Sequence, residues 1–126
     1  MNADAADWML LAKYNADVAL TLKIHGYYPA CMMYCQRAIE KALKAIPVNT
    51  GRLPQKKHAL ALLAKDAGVL DEMETEWLDL MDTLSTLYTE TRYSDDMEMR
   101  ASIDDGMCES AISGTEAIIK WIETKL

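Results

Sequence analysis

The chain has 126 residues, of which 51% are hydrophobic and 26% are charged, so it is long and apolar enough to bury a core. Its formal net charge of −7 argues against nucleic-acid binding by the surface as a whole, and we expect no DNA partner. No apolar run approaches the roughly 20 residues of a membrane span, and no secretory signal is evident. We therefore expect a cytoplasmic protein whose three cysteines are buried free thiols.

Two long helices are predicted first. Helix 1 runs from a cap at Asp4 or Asp7 to about Ile24, and the following glycine ends it. Helix 2 occupies 29–46, where apolar residues recur at spacings of three and four and form a core face. The other side of helix 2 carries a line of polar groups, and Pro47 is expected to end the helix. The polar line consists of Gln36, Arg37, Glu40, Lys41 and Lys44.

A short third helix is predicted from about Gln55 to Ala67. It begins with Lys56, Lys57 and His58, where cations and free helix N–H groups would form an anion site. A structural or solvent-exposed role for the histidine is the alternative.

The second half of the chain predicts two more long helices. Helix 4 runs from a cap at Asp71 to near Thr91, residues 92–100 form a loop, and the last helix begins at about Ile103. Long amphipathic helices with short links favour a bundle. The fold class is therefore all-α, an up-and-down antiparallel four-helix bundle with one additional short helix, in a single domain over 1–126.

The charge is unevenly distributed. Residues 37–57 hold six Lys or Arg and one acid, whereas the rest of the chain holds seven Lys or Arg and 19 acids. This segment could accept an anion, although ordinary solvated helix faces would give the same pattern. The nine methionines and absence of Phe fit either a subunit interface or adaptable core filling.

No phosphate-binding glycine loop, zinc motif or catalytic triad is evident, and we expect no metal and no cofactor. Near the end of helix 4, the guanidinium of Arg92 can bind a phosphate or a carboxylate, and the ring of Tyr93 can stack on a base. Alternatively, Arg92 pairs with an acid such as Glu40. The predicted ligand-binding residues are Arg37, Lys41, Lys44, Lys57, His58, Arg92 and Tyr93.

The order of these features resembles the HEPN family, the higher eukaryotes and prokaryotes nucleotide-binding domain. The residues that carry the resemblance are Trp8, Ala12, Asp17-Val18-Ala19, Gly26-Tyr27-Tyr28, CQRAIEKALKA at 35–45, Lys57-His58-Ala59-Leu60 and Thr91-Arg92-Tyr93-Ser94-Asp95. The resemblance implies a helical bundle that pairs into a homodimer. It also implies either a metal-independent ribonuclease, often a toxin, or a non-catalytic partner of a small nucleotidyltransferase.

The family's ribonuclease signature is an Arg followed four to six residues later by His. Here no histidine follows Arg92, and none lies anywhere after His58. The missing imidazole is the expected general acid or base. We therefore favour a non-catalytic module that binds a nucleotide or phosphate ligand and acts with a nucleotidyltransferase in a toxin–antitoxin-like system. The alternatives are a ribonuclease that uses Arg92 and a non-catalytic protein-interaction subunit.

Overall fold

The computed structural model describes the backbone of residues 1–93 and 97–126, and the side chains of 1–89 and 97–126. Within these ranges every regular element is helical, which confirms the predicted all-α class. The helices are α1 (Ala3–Ile24), α2 (Tyr28–Asn49), α3 (Leu60–Asp66), α4 (Thr75–Tyr93), α5 (Met97–Ser102) and α6 (Asp105–Glu123), with a 3₁₀ turn at Leu70–Glu72.

Helix α2 is the centre of the bundle. It packs against α1, α3, α4 and α6, and more than half of its residues are buried. A link of three residues joins it to α1, its most extensive neighbour, so the two form an antiparallel pair. Helices α4 and α6 both lie on α2 but make few contacts with each other. This arrangement leaves an open groove between them.

The N-terminal cap of α1 is Asn2, and the prediction of Asp4 or Asp7 was wrong. The Asn2 side chain accepts a hydrogen bond from Ala5 N at 2.8 Å. Its Nδ2 also donates to Val48 O at 2.8 Å, and its backbone N donates to Asn49 Oδ1 at 2.8 Å. The asparagine therefore caps one helix and ties it to the end of the next.

Pro47 does not end α2, which continues to Asn49. A proline removes one donor but has a helical φ, so the last turn tolerates it here. The chain leaves the helix at Gly51, whose φ of 84° lies in the left-handed region. The Pro47 carbonyl accepts from Thr50 N and Arg52 N at 3.0 and 3.1 Å, which closes this end.

The third helix is shorter than predicted, because residues 55–59 are not helical. Two hydrogen bonds tie the end of this segment and the start of α3 to other helices. Gln36 Nε2 donates to His58 O at 2.6 Å, and Leu60 N donates to Ser85 Oγ at 3.2 Å. The cations therefore precede α3 rather than lying in its first turn, and the Leu60 N–H is already bonded to Ser85.

The boundaries in the second half also differ from prediction. Asp71 belongs to the 3₁₀ turn, and α4 begins at Thr75, where Trp77 N and Leu78 N both bond to Glu74 O. The predicted loop over 92–100 contains the end of α4 and most of α5, which is too short to show an apolar stripe. Asp104 Oδ1 accepts from Met107 N at 2.9 Å and starts α6 just after the predicted residue.

The predicted buried free thiols are confirmed. Cys31, Cys35 and Cys108 are fully buried, and Cys108 Sγ donates to Tyr28 O at 3.4 Å. A hydrogen bond with Cys35, and then burial, raises the pKa of Cys31, whereas burial raises the pKa of Cys108 to about 12. The methionines mostly fill the core, although two described ones are largely exposed. Buried are Met9, Met32, Met73 and Met81; exposed are Met1 and Met97.

Candidate ligand-binding site

A polar row runs through the middle of α2. Gln36, Glu40 and Lys44 follow one another at four-residue spacing, so they lie on one face of the helix. This row is not the open line that the sequence suggests, because its residues are 0%, 5% and 8% exposed. His58 contacts this row from the non-helical segment before α3, and the hydrogen bond from Gln36 to His58 O ties that segment to α2.

Glu40 is the centre of the site. Its Oε1 lies 3.1 Å from His58 Nδ1, and its Oε2 accepts from Lys44 Nζ at 3.0 Å. An ionised carboxylate only accepts hydrogen bonds, so the Nδ1 of His58 carries the proton in this pair. Both carboxylate oxygens are thus used, as a buried charge requires. The histidine side chain is 52% exposed, and its second ring nitrogen is bonded to no described residue.

Trp8 brings α1 into the same cluster. The ammonium of Lys41 lies 5.3 Å from the centroid of the Trp8 ring, and that of Lys44 lies 5.9 Å away. Cations over the negative face of an indole are held there electrostatically. Residues from α1, α2 and the segment before α3 therefore meet around Glu40 and Trp8.

Arg37 and Lys57 are neighbours of this cluster in the chain. The Arg37 guanidinium carbon is 4.8 Å from the centroid of the Tyr34 ring, one turn earlier on α2. Lys57 is exposed and precedes His58. Among the described side chains, Arg37, Lys41 and Lys57 form no ion pair with a carboxylate. Their charges remain available to an anion, whereas Lys44 is already compensated by Glu40.

The side chains of Arg92 and Tyr93 lie outside the described residues, so their predicted roles stay predictions. Tyr88, one turn before residue 92 in α4, has its ring 5.5 Å from the His58 ring. Positions 88 and 92 share a face of an ideal helix.

Sequence reasoning did not assign Trp8, Glu40 or Tyr88 to the site. The Gln36–Glu40–Lys44 spacing was a usable signal, because acid and base four residues apart on a helix commonly pair. Nothing in the sequence shows that His58 docks on this row, because long-range hydrogen bonds decide its position. The sequence pattern indicated that Trp8 is a core residue. Its contact with two lysines depends on how α1 docks on α2.

Two findings concern other kinds of site. Across the described residues, no group of three or more His, Cys, Asp and Glu side chains could hold a metal ion. None of the described helices combines the length and the apolar character needed to cross a bilayer.

The known proteins that resemble this chain agree with its architecture. The family model for the HEPN domain matches residues 5–125, nearly the whole chain. The chain belongs to the HEPN domain family. This membership confirms the resemblance carried by the motifs of α1, α2 and α4. No curated protein matches the sequence.

Two solved structures share the HEPN fold seen here. TT1696 from Thermus thermophilus aligns with a TM-score of 0.84 at 24% identity, over 97% of this chain and 98% of that one. ST0689, described as an archaeal HEPN homologue, aligns with a TM-score of 0.76 at 21% identity, over 95% of each chain. At these identities the likeness establishes the fold, and the site must be argued from this chain's own residues.

Proposed function

We propose that this HEPN protein binds a nucleotide or a similar phosphate ligand on the basic side of α2. The supporting observation is the Glu40 cluster, in which one buried carboxylate contacts both His58 and Lys44. It joins a helix to a segment that is distant in the chain and fixes the exposed imidazole beside α2. Three cations have no described carboxylate partner: Arg37 lies one turn before Glu40 on α2, Lys41 lies over Trp8, and Lys57 precedes His58 in the chain.

The roles of these residues follow from their burial. Lys44 and Glu40 are almost fully buried and hold His58 in position. Arg37, Lys41 and Lys57 are more exposed and would neutralise phosphate oxygens, with the planar guanidinium forming two parallel hydrogen bonds. Arg92 would add a second guanidinium from α4, and Tyr93 would stack on a base. These last two roles rest on the sequence.

Calorimetric titration with ATP, GTP and a short RNA tests this proposal. We expect binding by the wild type and at least tenfold weaker binding by Arg37→Ala and by Lys41→Ala, because each removes a phosphate partner. Lys120→Ala is the matched control, since it removes an exposed cation from α6. The absence of heat with all three ligands, in the dimer and in any partner complex, would refute the proposal and favour a protein-interaction subunit.

The partner proposal comes from family membership. We propose that the chain forms a homodimer and acts with a nucleotidyltransferase-fold protein in a toxin–antitoxin-like system. Sedimentation of the purified chain should give twice the monomer mass. Co-expression with a nucleotidyltransferase encoded next to it should yield a stable complex. A monomer that forms no complex would contradict this part without affecting the ligand proposal.

A second candidate function is metal-independent RNA cleavage, and the contact between Glu40 and His58 favours it. With Nδ1 bonded to the carboxylate, the exposed Nε2 of a neutral ring can accept a proton. It would take the proton of a ribose 2′-hydroxyl, whose oxygen would attack the adjacent phosphorus. The P–O5′ bond would break, and the leaving oxygen would take a proton from water. Arg92 would stabilise the charge on the phosphate.

RNA incubation in the presence of a chelator separates the two functions. The ribonuclease predicts cleavage by the wild type that both His58→Ala and Arg92→Ala abolish. The binding module predicts no cleavage and retained ligand binding. Activity that survives both substitutions would point to a contaminating nuclease and would leave the binding module as the better account.

A further inference from the structure

The groove between α4 and α6 is a second surface with a different chemistry. Its volume is about 930 Å³, it is open to solvent, and Met32 of α2 forms part of its floor. The α4 wall is formed by Glu76, Trp77, Leu80 and Thr83. The α6 wall consists mainly of small residues at helical spacing: Gly106, Ser110, Ala111, Ser113, Gly114 and Ala117.

The small residues determine what shape can enter. Along α6, Gly106, Ser110 and Gly114 recur every four residues, so this side of the helix has little side-chain bulk of its own, and Leu80 of α4 lies against it at Gly114. Helix axes approach to about 8–10 Å depending on the side chains between them, and small ones allow the closer distances. Within the described residues no strand edge lines the groove. An α-helix lying along α6 fits this space better than an extended peptide.

The charges determine which helix can enter. Glu76 and Glu109 are the charged residues of the lining, and none of the described cations lines the groove. The exposed acids Asp79, Asp82 and Glu116 extend this character along α4 and α6, and no described cation pairs with them. Together these carboxylates repel a nucleic acid and a net-negative second copy of this chain. They attract a cationic partner.

The groove and the basic side of α2 face opposite directions. Met32, on the groove floor, and Lys41, over Trp8, are nine residues apart in α2. At about 100° per residue, this separation leaves a net rotation of half a turn about the helix axis. The two side chains therefore point to opposite sides of α2. A protein in the groove and a phosphate ligand at Lys41 can therefore bind at the same time.

We infer that the groove between α4 and α6 is a docking site for a basic amphipathic helix of a partner protein. The partner helix places a stripe of small or apolar residues against Leu80, Trp77 and the small face of α6. Its Lys or Arg residues lie beside Glu76 and Glu109. This inference does not depend on the proposed ligand-binding function, because it uses none of the same side chains.

Two synthetic helical peptides test the charge complementarity. They share one stripe of Ala and Leu, and their flanking positions are all Lys in one peptide and all Glu in the other. Fluorescence anisotropy of the labelled peptides should show saturable binding of the Lys peptide that weakens with added salt. Binding of the Glu peptide should be at least tenfold weaker. Equal binding of both peptides would overturn the inference.

Matched variants locate the binding. Ser113→Tyr fills the groove at an exposed helical position, and Thr86→Tyr introduces the same side chain at an exposed position of α4 outside the lining. We expect at least tenfold weaker binding for the first and no change for the second. Circular dichroism should show both variants folded. Equal affinity in the two folded variants would place the peptide elsewhere and refute the inference.

A charge-reversal pair keeps the test decisive if Ser113→Tyr fails to fold. Glu76→Lys with Glu109→Lys should reverse the preference between the two peptides. Asp17→Lys with Glu98→Lys changes the net charge equally on acids outside the groove lining and should leave the preference unchanged. Loss of the homodimer in the groove pair alone would assign the groove to a second copy of the chain and overturn the inference.

Discussion

The basic side of α2 and the groove between α4 and α6 differ in how their charges are held. On the basic side, one buried acid is bonded to two partners, while other cations have no described acidic partner. In the groove, acids line the walls and no cation is present among the described lining residues. A single helix separates the two surfaces. The two surfaces thus carry different charged groups, and the two proposals assign a different partner to each.

The two surfaces also differ in how they are built. The basic side depends on long-range contacts, since Trp8, Glu40 and His58 come from three separate segments. The groove depends on the spacing of two helices, because α4 and α6 both pack on α2 and contact each other where Trp77 meets Trp121 and where Leu80 approaches Gly114. Substitutions on the basic side should therefore change stability and binding together. Substitutions at exposed groove positions should change binding alone.

The largest effect on stability is expected from Glu40→Ala. It leaves the buried ammonium of Lys44 without a partner and releases His58, which should lower the free energy of unfolding by about 3 kcal/mol in urea denaturation. Glu98→Ala, which removes an exposed acid on α5, should change it by less than about 0.5 kcal/mol. Combining Glu40→Leu with Lys44→Met should recover most of the loss. A loss below about 1 kcal/mol would contradict a central role for Glu40.

Charge reversal on each surface should separate the two binding functions. The double substitution Arg37→Glu and Lys41→Glu should weaken ATP binding by more than tenfold, where each factor of ten is about 1.4 kcal/mol. It should leave the affinity for the Lys peptide unchanged. Glu76→Lys with Glu109→Lys should do the opposite. Parallel titrations of both variants with both ligands measure this. Similar losses of both affinities in one variant would mean that the surfaces are coupled or that the variant is misfolded.

A smaller effect is expected at the start of α1. Asn2→Ala removes the helix cap and its side-chain hydrogen bond to the end of α2, at a cost of about 1–2 kcal/mol. Asp4→Ala and Asp7→Ala are the controls, since neither caps the helix. Thermal unfolding should show the Asn2 variant as the least stable of the three. An equal effect of Asp4→Ala would show that the charge near the helix start matters more than the cap.

The smallest effect is expected at Gly114. A Cβ there would lie 2.5 Å from Leu80 Cδ2, so the leucine end must move. The better helix propensity of alanine, about 1 kcal/mol, offsets this cost, and Gly114→Ala should be nearly neutral in urea denaturation. Gly114→Leu should cost about 1–3 kcal/mol through overpacking. A neutral Gly114→Leu would show that α4 can shift away from α6 freely.

The sequence predicts the helices better than the site. The apolar periodicity of α2 and the glycine after α1 were enough to place the long helices, because these signals are local. Residues 55–59 were wrongly predicted as helical, since their conformation depends on Gln36 and Ser85, which lie far away in the chain. The same limit applies to the cap, where the contact of Asn2 with the end of α2 outweighs the acids that follow it.

The candidate site was predicted in composition but not in arrangement. Its cations were identified from the charge asymmetry of residues 37–57. The pairing of Glu40 with His58, and the position of Trp8 under two lysines, arise only when α1 and the segment before α3 dock on α2. The groove left no signal in the sequence, because it is formed by the distance between two helices rather than by any motif.

Mapping of amide chemical shifts by NMR during titration with ATP tests the central claim most directly. The claim is that the Glu40 cluster organises an anion-binding surface on one side of α2. It predicts saturable shifts at the amides of Arg37, Lys41, Lys57 and His58, with the groove residues of α6 unchanged. Shifts centred on α6, or none at millimolar ATP, would contradict it.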